Sequence, residues 1–181
     1  MGLQSLAAPE NVMLASSCKL VVLAALLGPL SCGSGSEARL KTLSKDDVTD
    51  LPAGNAVGTA FSGTYAIESS DLVGCHCRQG PCSKWQASSS HHQLVVTETN
   101  GALQIVENGT AFNGGIDRDG RFWCGSDSST AQCSVLNRWE GTAIAQTSLD
   151  VVSDMTVLGM VDGQYYDCDA EARFQALYVG P

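Results

Sequence analysis

Thiol and imidazole side chains crowd one short stretch of this sequence. It contains Cys75, His76, Cys77 and Cys82, and His91-His92 follow, so that all three histidines of the chain fall between residues 76 and 92. Cysteine and histidine are the ligands that zinc prefers, and a Cys-x-Cys pair that is exposed and has a lowered pKa can be redox-active. Three kinds of chemistry are therefore open for this stretch: structural disulfides, a metal site, and redox activity.

The wider cysteine pattern favours disulfides. Two of the eight cysteines, Cys18 and Cys32, lie early in the chain, and six follow: Cys75, Cys77, Cys82, Cys124, Cys133 and Cys168. An even number in an exported chain is typical of a disulfide framework, whose connectivity the sequence does not determine. The C-x-C-x4-C spacing is not that of a zinc finger. We expect these six cysteines to pair. The alternative is a metal-binding protein or enzyme that uses Cys75, His76, Cys77, Cys82, His91 and His92.

The beginning of the chain predicts export. Lys19 is followed by an apolar run, Leu20–Leu27, and then by Gly28-Pro29-Leu30. One positive charge before a short apolar core is typical of a secretory signal, and the run is too short for a transmembrane helix, which needs about 20 apolar residues. We therefore expect residues 1–31 to form a signal peptide, which begins at Met1 or at Met13.

The residues around Cys32 predict a lipid anchor. Leu30-Ser31-Cys32 resembles the bacterial lipobox, in which a small residue precedes a cysteine that becomes the acylated first residue. The resemblance implies that Cys32 is acylated (palmitate-type) and holds the protein to a membrane of the bacterial cell envelope. The expected membrane is the outer membrane, with the protein facing the periplasm or the cell surface. Cleavage after Gly33, which would release a soluble secreted protein, is the alternative.

A tether is predicted between this cysteine and the folded domain. Gly33-Ser-Gly-Ser36 has the composition of a flexible linker, and we expect the tether to cover residues 32–57. Inside it, Ser44-Lys-Asp-Asp47 resembles a capping box, and Pro52 ends any helix by Leu51. At most one or two turns of helix are expected there, with disorder as the alternative.

Residues 58–181 predict an all-β domain. Short β-like runs alternate with turn signals such as Asn100-Gly101, Asn108-Gly109, Glu140-Gly141 and Asp162-Gly163. The last run, Ala172–Val179, alternates apolar and other residues, as a half-buried strand requires. We expect an antiparallel meander that closes into an up-and-down β-barrel of about 8–10 strands, because closure removes exposed edges. A sandwich is the alternative.

Two short motifs resemble the lipocalin-like (calycin) pattern. Gly63-Thr64-Tyr65 on the first predicted strand is similar to its Gly-x-Trp motif, with Tyr65 in the place of the tryptophan, and Arg173 lies on the last strand. The resemblance implies that Arg173 packs against Tyr65 and that the barrel mouth carries a small apolar ligand.

Charge and motifs narrow the classes of function. A net charge of −9 without a basic stripe argues against nucleic-acid binding. The sequence has no Gly-x-Ser-x-Gly elbow, P-loop or G-x-G-x-x-G motif, so we expect neither an enzyme nor a cofactor. Trp85, Trp123 and Trp139 are interpreted as core or barrel-rim residues. The function predicted is a lipid-anchored envelope protein that binds a small apolar ligand or a protein partner. A structural envelope lipoprotein without a ligand is the alternative.

Overall fold

The chain folds into a closed barrel of eight antiparallel strands in sequential order. The computed structural model describes residues 40–84 and 92–181. The strands are β1 Gly63–Gln79, β2 Gln93–Thr99, β3 Ala102–Glu107, β4 Thr110–Ile116, β5 Arg121–Asp127, β6 Cys133–Ile144, β7 Ser148–Val161 and β8 Gln164–Gly180. A short helix, α1 Asp46–Thr49, precedes them, and a 3-10 turn, Cys82–Lys84, follows β1. The prediction of an all-β, up-and-down barrel is confirmed.

Three of the predicted turns form as the sequence indicates. Asn100-Gly101, Asn108-Gly109 and Asp162-Gly163 have positive φ at both residues, which is the backbone geometry of tight hairpins. The turn predicted at Glu140-Gly141 is wrong, because β6 continues through it to Ile144. A Cβ at Gly141 would collide with the Asp150 carbonyl oxygen of β7 and would lie 3.0 Å from Cε1 of Phe122. This glycine therefore serves close packing inside the barrel, and the chain turns after Ile144 instead.

Strand lengths divide the barrel into a tall side and a short side. Strands β1, β6, β7 and β8 have 17, 12, 14 and 17 residues, whereas β2 to β5 have six or seven each. We call the end that carries the turns 100–101 and 117–120 the lower end. The opposite end, which carries the turns 108–109 and 162–163, is the upper end. The upper part of β1 pairs with β8 alone among the described strands.

Apolar side chains fill the lower part of the barrel. The Trp139 ring stacks on Phe112 at 3.8 Å between centroids and meets Phe174 edge-on at 5.1 Å. Below these rings, Phe61 plugs the lower end, and its carbonyl accepts a hydrogen bond from the Tyr65 hydroxyl at 3.0 Å. Stacked and edge-on rings are the favourable geometries for aromatic pairs. The lower interior is therefore a packed core.

The contact implied by the calycin resemblance is not formed. Tyr65 is fully buried, as a barrel-closing aromatic should be, but its ring neighbour is Tyr178, at 5.4 Å and edge-on. Arg173 lies on the outer face, where its side chain is 64% exposed and donates to Glu171. The alternation of β8 explains this, because Arg173 is next to the inward-facing Phe174 and so points outward.

Residues 40–57, which we call the strap, lie across the outside of the barrel. Leu43 and Val48 pack with Leu136 of β6 in a small outer core. Trp123 Nε1 donates to the carbonyl of Pro52, and Leu43 N donates to Thr156 Oγ1 at 2.8 Å. The strap therefore contacts β5, β6 and β7 with both apolar and polar groups.

The barrel wall is shaped to receive the strap. A Cβ at Gly125 would lie 2.5 Å from the Val48 carbonyl oxygen, and one at Gly115 would lie 2.5 Å from Gly54 N. The strap begins α1 with the predicted capping box. Ser44 N donates to Asp47 Oδ2 at 2.9 Å, and Asp47 N donates to Ser44 Oγ at 3.4 Å. This stretch is part of residues 32–57, for which the sequence predicts a tether.

Candidate functional site

Near the Trp139 ring, the interior side chains change from fully buried to partly exposed. Strand alternation turns Leu72 of β1, Met155 of β7 and Ala172 of β8 toward the inside, where Leu72 pairs with Ala172. All three side chains keep partial solvent exposure, and that of Leu72 is 36%. Side chains below this level are buried. The upper interior also holds a buried cluster around Val157, Val161 and Tyr166, so only part of it keeps solvent exposure.

Three polar side chains of the barrel interior have unmet hydrogen-bonding capacity. Among the described residues, the buried side-chain oxygens without a hydrogen-bond partner are Ser70 Oγ, Glu107 Oε1 and Ser126 Oγ. They belong to β1, β3 and β5, and so to three different parts of the wall. Buried polar groups in folded proteins nearly always have a partner. The three orphan oxygens are therefore candidate contacts for a bound molecule.

A second acidic side chain in the interior, Glu98, has hydrogen-bond donors for both of its carboxylate oxygens. Glu98 is 1% exposed at the lower end and accepts hydrogen bonds from Phe61 N at 3.5 Å and Gly101 N at 3.3 Å. Glu107 is 3% exposed and has one oxygen without a donor. Glu98 therefore fixes Phe61 and Gly101 at the lower end with its two carboxylate oxygens, whereas Glu107 Oε1 has no donor.

Burial raises the pKa of Glu107 to about 7, and the nearby imidazole of His92 opposes this rise. The cause is loss of water around the carboxylate, which disfavours its charged form. At the upper end of the barrel, next to Glu107 in sequence, Asn108 Nδ2 forms a hydrogen bond of 2.7 Å with His92 Nδ1. Glu107 thus changes charge near neutral pH, which suits a carboxyl that receives a polar ligand group.

The predicted chemistry of the cysteine stretch is resolved in favour of disulfides. Cys75 is bonded to Cys82 and Cys77 to Cys168, and Cys133 is also disulfide-bonded. Cys75 and Cys77 lie on β1. Alternation places both on the inner face, and the strand pairing sets Cys168 directly opposite Cys77.

The expected pairing of Cys124 is wrong. This cysteine is a free, fully buried thiol. It lies on β5 among the apolar side chains of the lower core, whereas the bonded pairs Cys75–Cys82 and Cys77–Cys168 belong to a separate cluster at the upper end. Burial raises the pKa of the Cys124 thiol well above its usual range, so it acts as a small apolar core residue.

The strands separate the residues of the alternative metal site from one another. The sulfur atoms of Cys75, Cys77 and Cys82 lie within 4.8 Å of one another, but all three are in disulfides, and metals bind thiolates. His76 is exposed and faces outward between the two inward cysteines. His92 contacts Asn108 on the short side of the barrel. The described residues therefore do not assemble the set that the sequence suggested.

Several predictions concern residues outside the described part of the chain. These are the signal peptide 1–31, the acylated Cys32, and the side chains of Trp85 and His91. Trp139 lies in the core as expected, and Trp123 lies on the outer wall beneath the strap. Within residues 40–84 and 92–181 there is no helix of the length and apolarity needed to cross a bilayer.

Sequence reasoning missed the three orphan oxygens. The signal that identifies Glu107 is its position in the alternation of β3, where it follows the buried Leu103 and Ile105 on the inward-facing side. An acidic residue at the third apolar position of such a strand indicates either a buried partner or a site. Ser70 and Ser126 carry no comparable signal, because serine is common on both faces of a strand.

No family model, curated protein or solved structure matches this chain.

Proposed function

We propose that this chain binds a small amphipathic ligand in the upper interior of its barrel. One observation carries the proposal: three buried side-chain oxygens, on Ser70, Glu107 and Ser126, lack partners in an interior that keeps partly exposed apolar side chains. The apolar part of the ligand packs against Leu72, Met155 and Ala172. Its polar end donates hydrogen bonds to the orphan oxygens. Small-ligand sites have this composition, with apolar walls and a few placed polar groups.

Charge favours a ligand whose polar end is an amine. Glu107 is the buried acid with an unmet oxygen, and Ser70 and Ser126 add only neutral groups. A protonated amine stabilises the Glu107 carboxylate by an ion pair, a neutral alcohol only by hydrogen bonds, and a carboxylate repels it. We therefore expect decylamine to bind more tightly than decanol, and decanol more tightly than decanoate.

Displacement of an apolar fluorescent dye, N-phenyl-1-naphthylamine, tests this order. Glu107→Gln should weaken decylamine binding about tenfold, the equivalent of one charge-assisted hydrogen bond, and should change decanol binding little. Glu68→Gln, at an exposed position of β1, is the matched control and should leave all three affinities unchanged. Equal affinities for amine and carboxylate would contradict the ligand class. If the dye and all three probes fail to bind, the proposal is wrong.

We further propose that the barrel is exported and held to a bacterial envelope membrane through an acylated Cys32. The support is the sequence pattern alone: a short apolar leader, a small residue before Cys32, and a Gly/Ser-rich run after it. Two or three acyl chains would give stable anchoring, where one would not. The intact mass of the protein from its membrane fraction tests this. Protein recovered only in the soluble fraction, with a mass that begins after Gly33, would contradict it.

A further inference from the structure

Two disulfides of the tall side touch each other. Cys77 Sγ lies 3.4 Å from Cys82 Sγ and 3.8 Å from Cys75 Sγ. Yet Cys77 is bonded to Cys168, and Cys75 is bonded to Cys82. Sulfur atoms that would be partners in a different pairing are therefore already in van der Waals contact.

The fold produces this contact from simple strand geometry. Cys75 and Cys77 are two residues apart on β1 and so share its inner face. The 3-10 turn Cys82–Lys84 brings Cys82 back over that face. Cys168 stands across from Cys77 in the β1–β8 register. The four sulfur atoms form one cluster, which we call the sulfur cluster.

Access to the sulfur cluster is unequal. Cys75, Cys77 and Cys82 are half-buried, whereas Cys168 is 1% exposed. An external thiolate can therefore reach the Cys75–Cys82 bond more readily than it can reach Cys168. Thiol–disulfide exchange requires a thiolate to contact the sulfur atom that it attacks. Cys168 can then be released through its neighbours even though a reductant cannot contact it.

We propose that the sulfur cluster is a thiol–disulfide exchange site with two interconvertible pairings, and that its redox partner is a dithiol. A thiolate of the dithiol attacks Cys75 Sγ, forms a mixed disulfide and releases the Cys82 thiolate. That thiolate attacks Cys77 Sγ, forms the Cys77–Cys82 bond and releases Cys168. The second thiol of the dithiol then displaces Cys75 as a thiol.

The electrons and protons balance over these steps. The dithiol loses two electrons and becomes a disulfide. The chain gains them, since it begins with two disulfides in the sulfur cluster and ends with one disulfide and two thiols, on Cys75 and Cys168. The two protons of the dithiol pass through solvent to these two sulfur atoms. Cys168 Sγ lies 3.4 Å from the Gln79 carbonyl oxygen, which can accept a hydrogen bond from the new thiol. If the dithiol instead attacks Cys82, Cys75 performs the second step across 3.8 Å, and Cys168 is released again.

Limited reduction of the unaltered chain tests the proposal. The protein is treated with about one equivalent of dithiothreitol, quenched and unfolded in acid, and alkylated with N-ethylmaleimide, and its peptides are mapped by mass spectrometry. We expect label on Cys168 together with Cys75 or Cys82, and a new bond from Cys77 to the remaining cysteine of that pair. Label on Cys75 and Cys82 with an intact Cys77–Cys168 bond would overturn the proposal. The free Cys124 is labelled in every sample and serves as the internal reference.

Cys75→Ser isolates the second step. It leaves Cys82 as a thiol beside Cys77, so the two pairings should interconvert without any reductant. We expect label to divide between Cys82 and Cys168 in this variant, whereas the unaltered chain without reductant should label neither. Label confined to Cys82 would overturn the exchange step. Should this variant fail to fold, the limited-reduction experiment still decides the question, because it requires no substitution.

Discussion

The raised pKa of Glu107 predicts how the free energy of unfolding changes with pH. Burial raises this pKa from an ordinary value of 4.5 to about 7 in the folded chain. The folded state therefore binds more protons than the unfolded state between these two values. Stability falls as pH rises through this interval. Each pH unit across this interval corresponds to about 1.4 kcal/mol. The contribution of Glu107 to the free energy of unfolding should therefore be about 3 kcal/mol lower above pH 7 than below pH 4.5.

Glu107→Gln removes the titration while it keeps the side-chain shape. The difference in unfolding free energy between this variant and the unaltered chain should therefore change by about 3 kcal/mol in favour of the variant between about pH 4.5 and pH 8. Urea denaturation followed by tryptophan fluorescence measures the difference at each pH, and other titrating groups cancel in it. Glu68→Gln, at an exposed position, should give a difference that is nearly constant. A constant difference for Glu107→Gln as well would refute the idea that burial raises the pKa of this carboxyl.

Two further predictions concern the contact between strap and barrel. Thr156 Oγ1 accepts from Leu43 N and donates to the buried Asp169 at 2.7 Å, so Thr156→Val should cost roughly 1–3 kcal/mol of stability. The exposed Thr97→Val should cost a few tenths in the same urea experiment, and equal losses would contradict the role of Thr156. Gly125→Ala forces a Cβ against the Val48 carbonyl oxygen and should cost roughly 1–3 kcal/mol. The exposed Thr97→Val is the control here as well, and an equally small loss for Gly125→Ala would contradict the close contact between the strap and the barrel wall.

Local sequence carries most of the information about this fold. Turn pairs such as Asn108-Gly109 and Asp162-Gly163 require positive φ, and the hairpins form where they occur. The mistake at Glu140-Gly141 shows the limit of that reasoning. A glycine can mark a turn, or it can make room for a ring such as that of Phe122 inside a sheet. The choice between them depends on residues far away in sequence.

The candidate site was harder to predict because its parts meet only after the barrel closes. Cys77 and Cys168 are separated by 91 positions, and only the β1–β8 register sets them opposite each other. Bulges shift this register at four points along β1, and each bulge changes which residues face inward. The inward position of Ser70 depends on one of these bulges. Simple alternation from Tyr65 would have turned Ser70 outward.

Covalent bonds explain how the upper end can hold a buried acid with an unmet oxygen. The lower end is stabilised by packing around Trp139, and its buried Glu98 is paired with backbone amides. Above it, Glu107 costs about 3 kcal/mol at neutral pH by the argument from its pKa. A disulfide across the separation of 91 positions between Cys77 and Cys168 lowers the entropy of the unfolded chain and contributes about 4 kcal/mol. The two terms are of similar size, so the disulfide, together with the buried cluster around Val157 and Tyr166, lets the upper end keep partly exposed apolar side chains and orphan oxygens. These are the features that a ligand site needs, and the disulfide that offsets their cost belongs to the sulfur cluster.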